Sequence, residues 1–106
     1  MQPRTKPRVD VDYPATFTGD QLSGSGTLTN LTIDGAEIET PIDCPIDLHL
    51  SLRVETSGAR PPLVITLAVV RWKRGNRFGL EFVRFDGHSK QQLEEMLNQR
   101  DSSSLS

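Results

Sequence analysis

Apolar residues recur at every second position along most of this chain, and the repeat turns helical only after Asp86. Side chains alternate across a strand but return every 3.6 residues around a helix. The first pattern therefore predicts strands with one buried face and the second a single helix. The clearest strand signal is Ile46, Leu48, Leu50 and Leu52 alternating with Asp47, His49, Ser51 and Arg53. Upstream, Val9, Val11 and Tyr13 alternate with Asp10 and Asp12, then continue in shifted phase as Ala15 and Phe17. That shift predicts a first strand entered through a bend or bulge at Pro14. Leu63 to Trp72 is apolar and β-branched, a central strand, and Phe78 to Phe85 returns beside it across Gly75-Asn76, a favourable two-residue turn. Leu93, Met96 and Leu97 then recur at helical spacing, and Ser89-x-x-Gln92 resembles a capping box. They predict a helix from residue 87 or 89 to 99 that lays one narrow apolar stripe on the sheet.

The connections are marked by composition. Gly19 to Gly26 is rich in Gly and Ser and predicts a flexible loop, as do residues 55 to 62. Residues 27 to 31 and 36 to 40 predict a hairpin about Asp34-Gly35, where glycine supplies the positive φ of a tight primed turn. Within it Asn30 and Thr32 share the polar face, while Leu31 and Ile33 face the other way. Asp101 to Ser106 is a polar tail, expected to be disordered. Five or six strands and one terminal helix predict an antiparallel barrel or sandwich with the helix against it.

At 106 residues the chain makes one domain. No apolar run resembles a signal peptide or approaches the roughly 18 residues of a membrane span, which predicts a cytoplasmic protein. Cys44 is the only cysteine and His49 and His88 the only histidines. An internal disulfide is excluded, and no metal-ligand spacing appears. Cys44 is expected to be a small buried or half-buried filler, and His49 falls on the polar face of its strand.

Charge is the more informative property. The whole chain carries 12 Lys and Arg against 14 Asp and Glu, yet residues 1–8 hold Arg4, Lys6 and Arg8 with no acid among them. Pro3 and Pro7 exclude helix there and favour an extended path. Ordering eight residues costs about 8–16 kcal/mol of backbone entropy. Four charge-assisted hydrogen bonds from two arginines return about 6–12 kcal/mol, so a bound anion tips the balance. A second basic cluster, Arg71, Lys73, Arg74 and Arg77, falls on the Gly75-Asn76 hairpin and reads as a solvated tip, with a supporting phosphate contact as the alternative.

Arg4-x-x-x-Arg8 followed by Asn30-x-Thr32-x-x-Gly35 resembles the PilZ domain, the bacterial receptor module for cyclic di-GMP. That family's signature is RxxxR, a spacer of at most two to three dozen residues, then D/N-x-S-x-x-G; the spacer here runs from Val9 to Thr29. Gly79-Leu80-Glu81-Phe82 matches the family's late strand and Val70-Arg71-Trp72 its penultimate one. The resemblance implies an all-β fold with one helix, a six-stranded antiparallel β-barrel with a C-terminal α-helix. Residues 1–8 would be a flexible basic arm, 9–100 the barrel domain with its helix, and 101–106 the tail.

It also implies that Arg4 and Arg8 clamp guanine and phosphate while Asn30 and Thr32 bind from the sheet, with Gly35 permitting close backbone approach. Lys6, Asp34 and Trp72 would support them. Thr32 stands where serine is commonest, and Asn30 offers one acceptor oxygen where a carboxylate offers two. Pro3 occupies a position where family members that bind a stacked ligand pair often carry arginine, which favours one bound dinucleotide. No cofactor is implied beyond cyclic di-GMP itself, and the output would pass to an unidentified effector protein in motility, attachment or exopolysaccharide control.

Two other readings stand beside this one. A PilZ-like module without ligand would bind a protein only. A small barrel binding single-stranded nucleic acid would need several exposed aromatics over a basic groove, and one Trp, one Tyr and a net charge of −2 argue against a polynucleotide. Neither paired carboxylates, an activated nucleophile nor a metal set can be assembled, so an enzyme is not expected.

Overall fold

A computed structural model describes residues 9–56 and 61–105 of the chain. Its elements in order are β1 (Val9–Gly19), β2 (Ser23–Leu31), β3 (Gly35–Glu39), β4 (His49–Val54), β5 (Leu63–Arg74), β6 (Arg77–Phe85) and α1 (Ser89–Leu105). The strands close into an antiparallel barrel in the order β1-β2-β3-β6-β5-β4. β1 and β4 alternate as their sequence predicts, with Leu50, Leu52 and Val54 of β4 pointing inward, and Leu80 and Phe82 of β6 do the same. Phe17 and Phe78 meet edge to face at 5.6 Å in the middle of the core. Closure gives every described strand two neighbours, which is how a domain this small hides most of its backbone without a second layer.

The helix caps the barrel through Leu93, Met96 and Leu97, all buried. Its start differs from the capping box expected of Ser89 and Gln92. The Ser89 hydroxyl accepts the Val64 amide at 2.9 Å, and the Gln92 amide donates to the Pro61 carbonyl at 2.6 Å. Both polar groups tie the helix to β5 and the residues just before it instead of closing its own first turn. The helix also runs to Leu105, past the expected end at 99 and through the segment expected to be a disordered tail. Neither glycine nor proline follows Asn98 to stop it. No described helix is long and apolar enough to cross a membrane.

Other differences have local causes. The Gly- and Ser-rich stretch is not a loop; only a tight turn separates β1 from β2, closed by the Gly19 amide on the Leu22 carbonyl at 2.6 Å. Gly24 and Gly26 occupy alternate positions of β2 where a Cβ would strike the Ile42 side chain and the Glu39 carbonyl respectively. Small residues are there because the end of β3 and the chain after it close over them. The bulge in β1 falls between Asp10 and Tyr13, just before Pro14 rather than at it. Ile46 is exposed, because Asp47 takes a positive φ of 74° in the turn before β4 and breaks the alternation. Gly75, also at positive φ (58°), makes the expected two-residue turn between β5 and β6. Cys44 is buried in the core, where desolvation and then the nearby Asp43 push its thiol up against a smaller pull from Lys73.

Candidate functional site

The β2–β3 connection is built on Thr32. Its hydroxyl accepts the amides of Asp34 and Gly35, both at 3.1 Å, and its own amide donates to the Gly35 carbonyl at 2.9 Å. This hydroxyl-centred turn replaces the primed two-residue turn expected of Asp34-Gly35, and Gly35 does not take a positive φ. Glycine is required for another reason. A Cβ on Gly35 would lie far inside contact distance of the Leu80 carbonyl on β6. The close backbone approach expected at this residue is therefore made by the neighbouring strand, which Asp34 also engages by accepting the Phe82 amide at 2.7 Å.

Asn30 sits opposite Asp10 on β1 and donates its side-chain amide to the Asp10 carboxylate at 2.8 Å. With Nδ2 fixed on Asp10, the acceptor of the group is Oδ1. Behind the turn, β5 carries one residue more than β6 between Val70 and Trp72. Consecutive strand residues ordinarily face opposite ways, but here Arg71 and Trp72 are both turned away from the core. The indole is not a core tryptophan. It is 41% exposed and covers Gly79, its cross-strand partner, where any Cβ would collide with the ring.

These pieces enclose an open cavity of about 500 Å³ on the outer face of the barrel. Asn30, Thr32, Asp34 and Gly35 form one side, Arg71 and Trp72 the other, and Glu37 and Glu81 lie between them. The structure thus brings together five of the residues singled out from sequence: Asn30, Thr32, Asp34, Gly35 and Trp72. Arg4, Lys6 and Arg8 lie outside the described residues. Val9 pairs with Leu31, so the chain enters the barrel at the rim of this cavity.

Three contributors were not expected. Asp10 was visible only as one of two alternating acids on β1. Glu37 accepts the Thr29 hydroxyl at 3.1 Å, and Glu81 takes the Arg71 Nε at 2.6 Å. Arg71 lines the cavity and not the hairpin tip, and the basic cluster is not a free patch. Lys73 binds Asp43, and Arg77 lies 3.8 and 3.9 Å from Glu37 and Glu39. Adjacent Arg-Trp on a strand gave a signal only if a bulge was foreseen. No group of three or more metal-ligating side chains occurs among the described residues.

The chain matches the family model for the PilZ domain over residues 2–99. Among solved structures it is similar to the Bacillus subtilis inhibitor of motility (MotI/DgrA), with a TM-score of 0.79 and 17% identity; the match covers 97% of this chain and 53% of the other. The chain thus spans about half the length of that protein. It is also similar to the PilZ domain of CeSA from a cellulose-synthesizing bacterium, at a TM-score of 0.66 and 12% identity, covering 89% of this chain and 97% of that one. No curated protein matches it.

Proposed function

We propose that this chain, which belongs to the PilZ domain family, is a receptor for cyclic di-GMP that passes ligand binding on to a partner protein. The observation that carries the reading is the convergence of Asn30, Thr32, Asp34, Gly35 and Trp72 on one cavity, beside the point where the segment bearing Arg4, Lys6 and Arg8 joins β1. Arg4 is five residues from Val9, within about 18 Å at full extension, so both arginines can reach the cavity.

Guanine offers acceptors on one edge, which an arginine fork matches, and N1–H and N2–H donors on another, which the Asn30 Oδ1 accepts. Phosphate takes the second arginine in two-bond geometry. Thr32 serves by shaping the turn, since its oxygen already accepts two amides. Trp72 supplies an aromatic wall on which a base stacks. Ligand binding orders the arm across the cavity, and the altered surface is what an effector in motility, attachment or exopolysaccharide control would recognise. The protein acts as an adaptor and not as an enzyme.

Isothermal titration of cyclic di-GMP into the wild type and Arg8→Ala tests this, with GTP and linear pGpG as controls. Saturable binding at micromolar concentration or below, lost in Arg8→Ala and not shared by GTP, is the expected result. Absence of heat and of any magnetic-resonance shift at millimolar ligand would leave a ligand-free protein-interaction module. The acidic lining of Asp34, Glu37 and Glu81 is the feature that would favour that outcome.

A further inference from the structure

We propose that Arg71 is a further ligand-binding residue of this cavity, exchanging its contact with Asp47 for a phosphate oxygen of the dinucleotide while Glu81 holds it in place. The inference rests on the receptor reading above. Arg71 is the only cation among the described residues lining the cavity, which also holds three carboxylates, Asp34, Glu37 and Glu81. A dinucleotide brings two phosphates and two negative charges to that surface; one phosphate takes an arginine of the segment before β1, and Arg71 is the cation already in the lining that can meet the other.

The two existing partners of Arg71 differ in kind. Nε donates to Glu81 at 2.6 Å, a charge-assisted hydrogen bond that fixes the plane of the group. Nη1 stands 3.6 Å from Asp47, too far for a hydrogen bond, and that carboxylate is 77% exposed. The second contact is a weak, solvent-screened pair that a phosphate can displace. Asp47 is nonetheless held in position as a competitor, because its amide donates to the Val70 carbonyl at 2.7 Å. It does not line the cavity. Glu81 is thus a positioning residue for Arg71, and Asp47 a competitor for the same guanidinium.

Removal of the two groups should therefore act in opposite directions. Titration of cyclic di-GMP into wild type, Arg71→Ala, Arg71→Lys and Asp47→Asn is the test, with thermal melts confirming that each variant is folded. Arg71→Ala should weaken binding about tenfold or more. Arg71→Lys should remain several-fold weak, since a single ammonium cannot hold Glu81 and phosphate in the same fixed geometry. Asp47→Asn, which suits the positive φ, should tighten binding about two- to fivefold by removing the competitor. Wild-type binding with unchanged affinity in Arg71→Ala, or weakened affinity in Asp47→Asn, would overturn the assignment alone. Absence of wild-type binding would overturn the receptor reading and this one with it.

Discussion

Gly35→Ala separates two reasons for a glycine at the cavity: room for a ligand, or room for a strand. The backbone at Gly35 is not in the positive-φ region, so alanine meets no conformational penalty there. The obstacle is the Leu80 carbonyl, which an added Cβ would overlap far inside the 3.4 Å of ordinary contact, and a backbone atom cannot rotate away. β3 must withdraw from β6 where Gly35 pairs with Glu81, and the hydrogen bond from Phe82 to Asp34 is the first to part. Losing a backbone hydrogen bond costs about 0.5–1.5 kcal/mol, and leaving its donor unsatisfied about 1–3 kcal/mol more. Alanine returns about 0.4–1 kcal/mol by restricting the unfolded chain. The net loss is about 0.5–4 kcal/mol, or roughly 2–16 °C in melting temperature at about 4 °C per kcal/mol for a domain of this size. Urea and thermal unfolding without ligand measure it directly. Ligand-free stability within about 0.5 kcal/mol of wild type, an ordinary surface-substitution effect, would refute the packing argument and return the glycine to the ligand.

Other substitutions probe the remaining contacts. Ser89→Ala should destabilise the domain by about 1–3 kcal/mol in urea, because it leaves the Val64 amide without its acceptor, and helical circular dichroism should be retained up to the transition; loss of helicity with little change in stability would identify a cap instead. Gly79→Ala should push the single tryptophan off its seat and raise acrylamide quenching of its fluorescence, and unchanged quenching would contradict the placement of the indole over Gly79. Cys44 should resist alkylation by a thiol reagent until the protein unfolds, since burial both shields it and raises its pKa. The linkage sign follows: stability from this group is fully present below the unfolded thiol pKa and is lost as pH rises through the higher folded one, so the cysteine-dependent part of a pH titration, measured against Cys44→Ala, should fall on the alkaline side only.

The barrel is legible because a closed antiparallel sheet repeats one rule, alternation, which apolar side chains report directly in β1 and β4, while β5 shows itself as a continuous apolar, β-branched run. The same rule holds in β2, where the sequence hides it. Ser23 and Ser25 face solvent while Gly24 and Gly26 face their neighbours, but a glycine carries no side chain to show which way it points. Ser89 and Gln92 illustrate a second limit. Their spacing fits a helix cap, but the partners they found, Val64 and Pro61, are 25 and 31 residues away. A local pattern contains no information about a distant backbone group that needs an acceptor more.

The cavity was harder to foresee because it is assembled from interruptions of the rule. β1 carries an extra residue between Asp10 and Tyr13, β2 carries one at Thr29 relative to β3, and β5 carries one at Arg71 relative to β6. The first two flank Asn30, and the third turns Arg71 outward beside Trp72. Bulges bend a strand and re-aim its side chains, which a regular ladder cannot do without reversing every residue that follows. At Thr29 the extra residue restores the inward phase beyond it, since Leu28 and Leu31 are both buried across that bulge, while beyond Arg71 β5 stays exposed to its end and Phe78 of β6 fills the core beside it. The core is thereby kept continuous while polar and aromatic groups from four strands and one turn are gathered on its outside. Deleting Arg71 would set Trp72 directly after Val70 in regular alternation, still outward and opposite Gly79, so the barrel would keep its register and lose only the guanidinium beside the indole; the extra residue belongs to the site and not to the core.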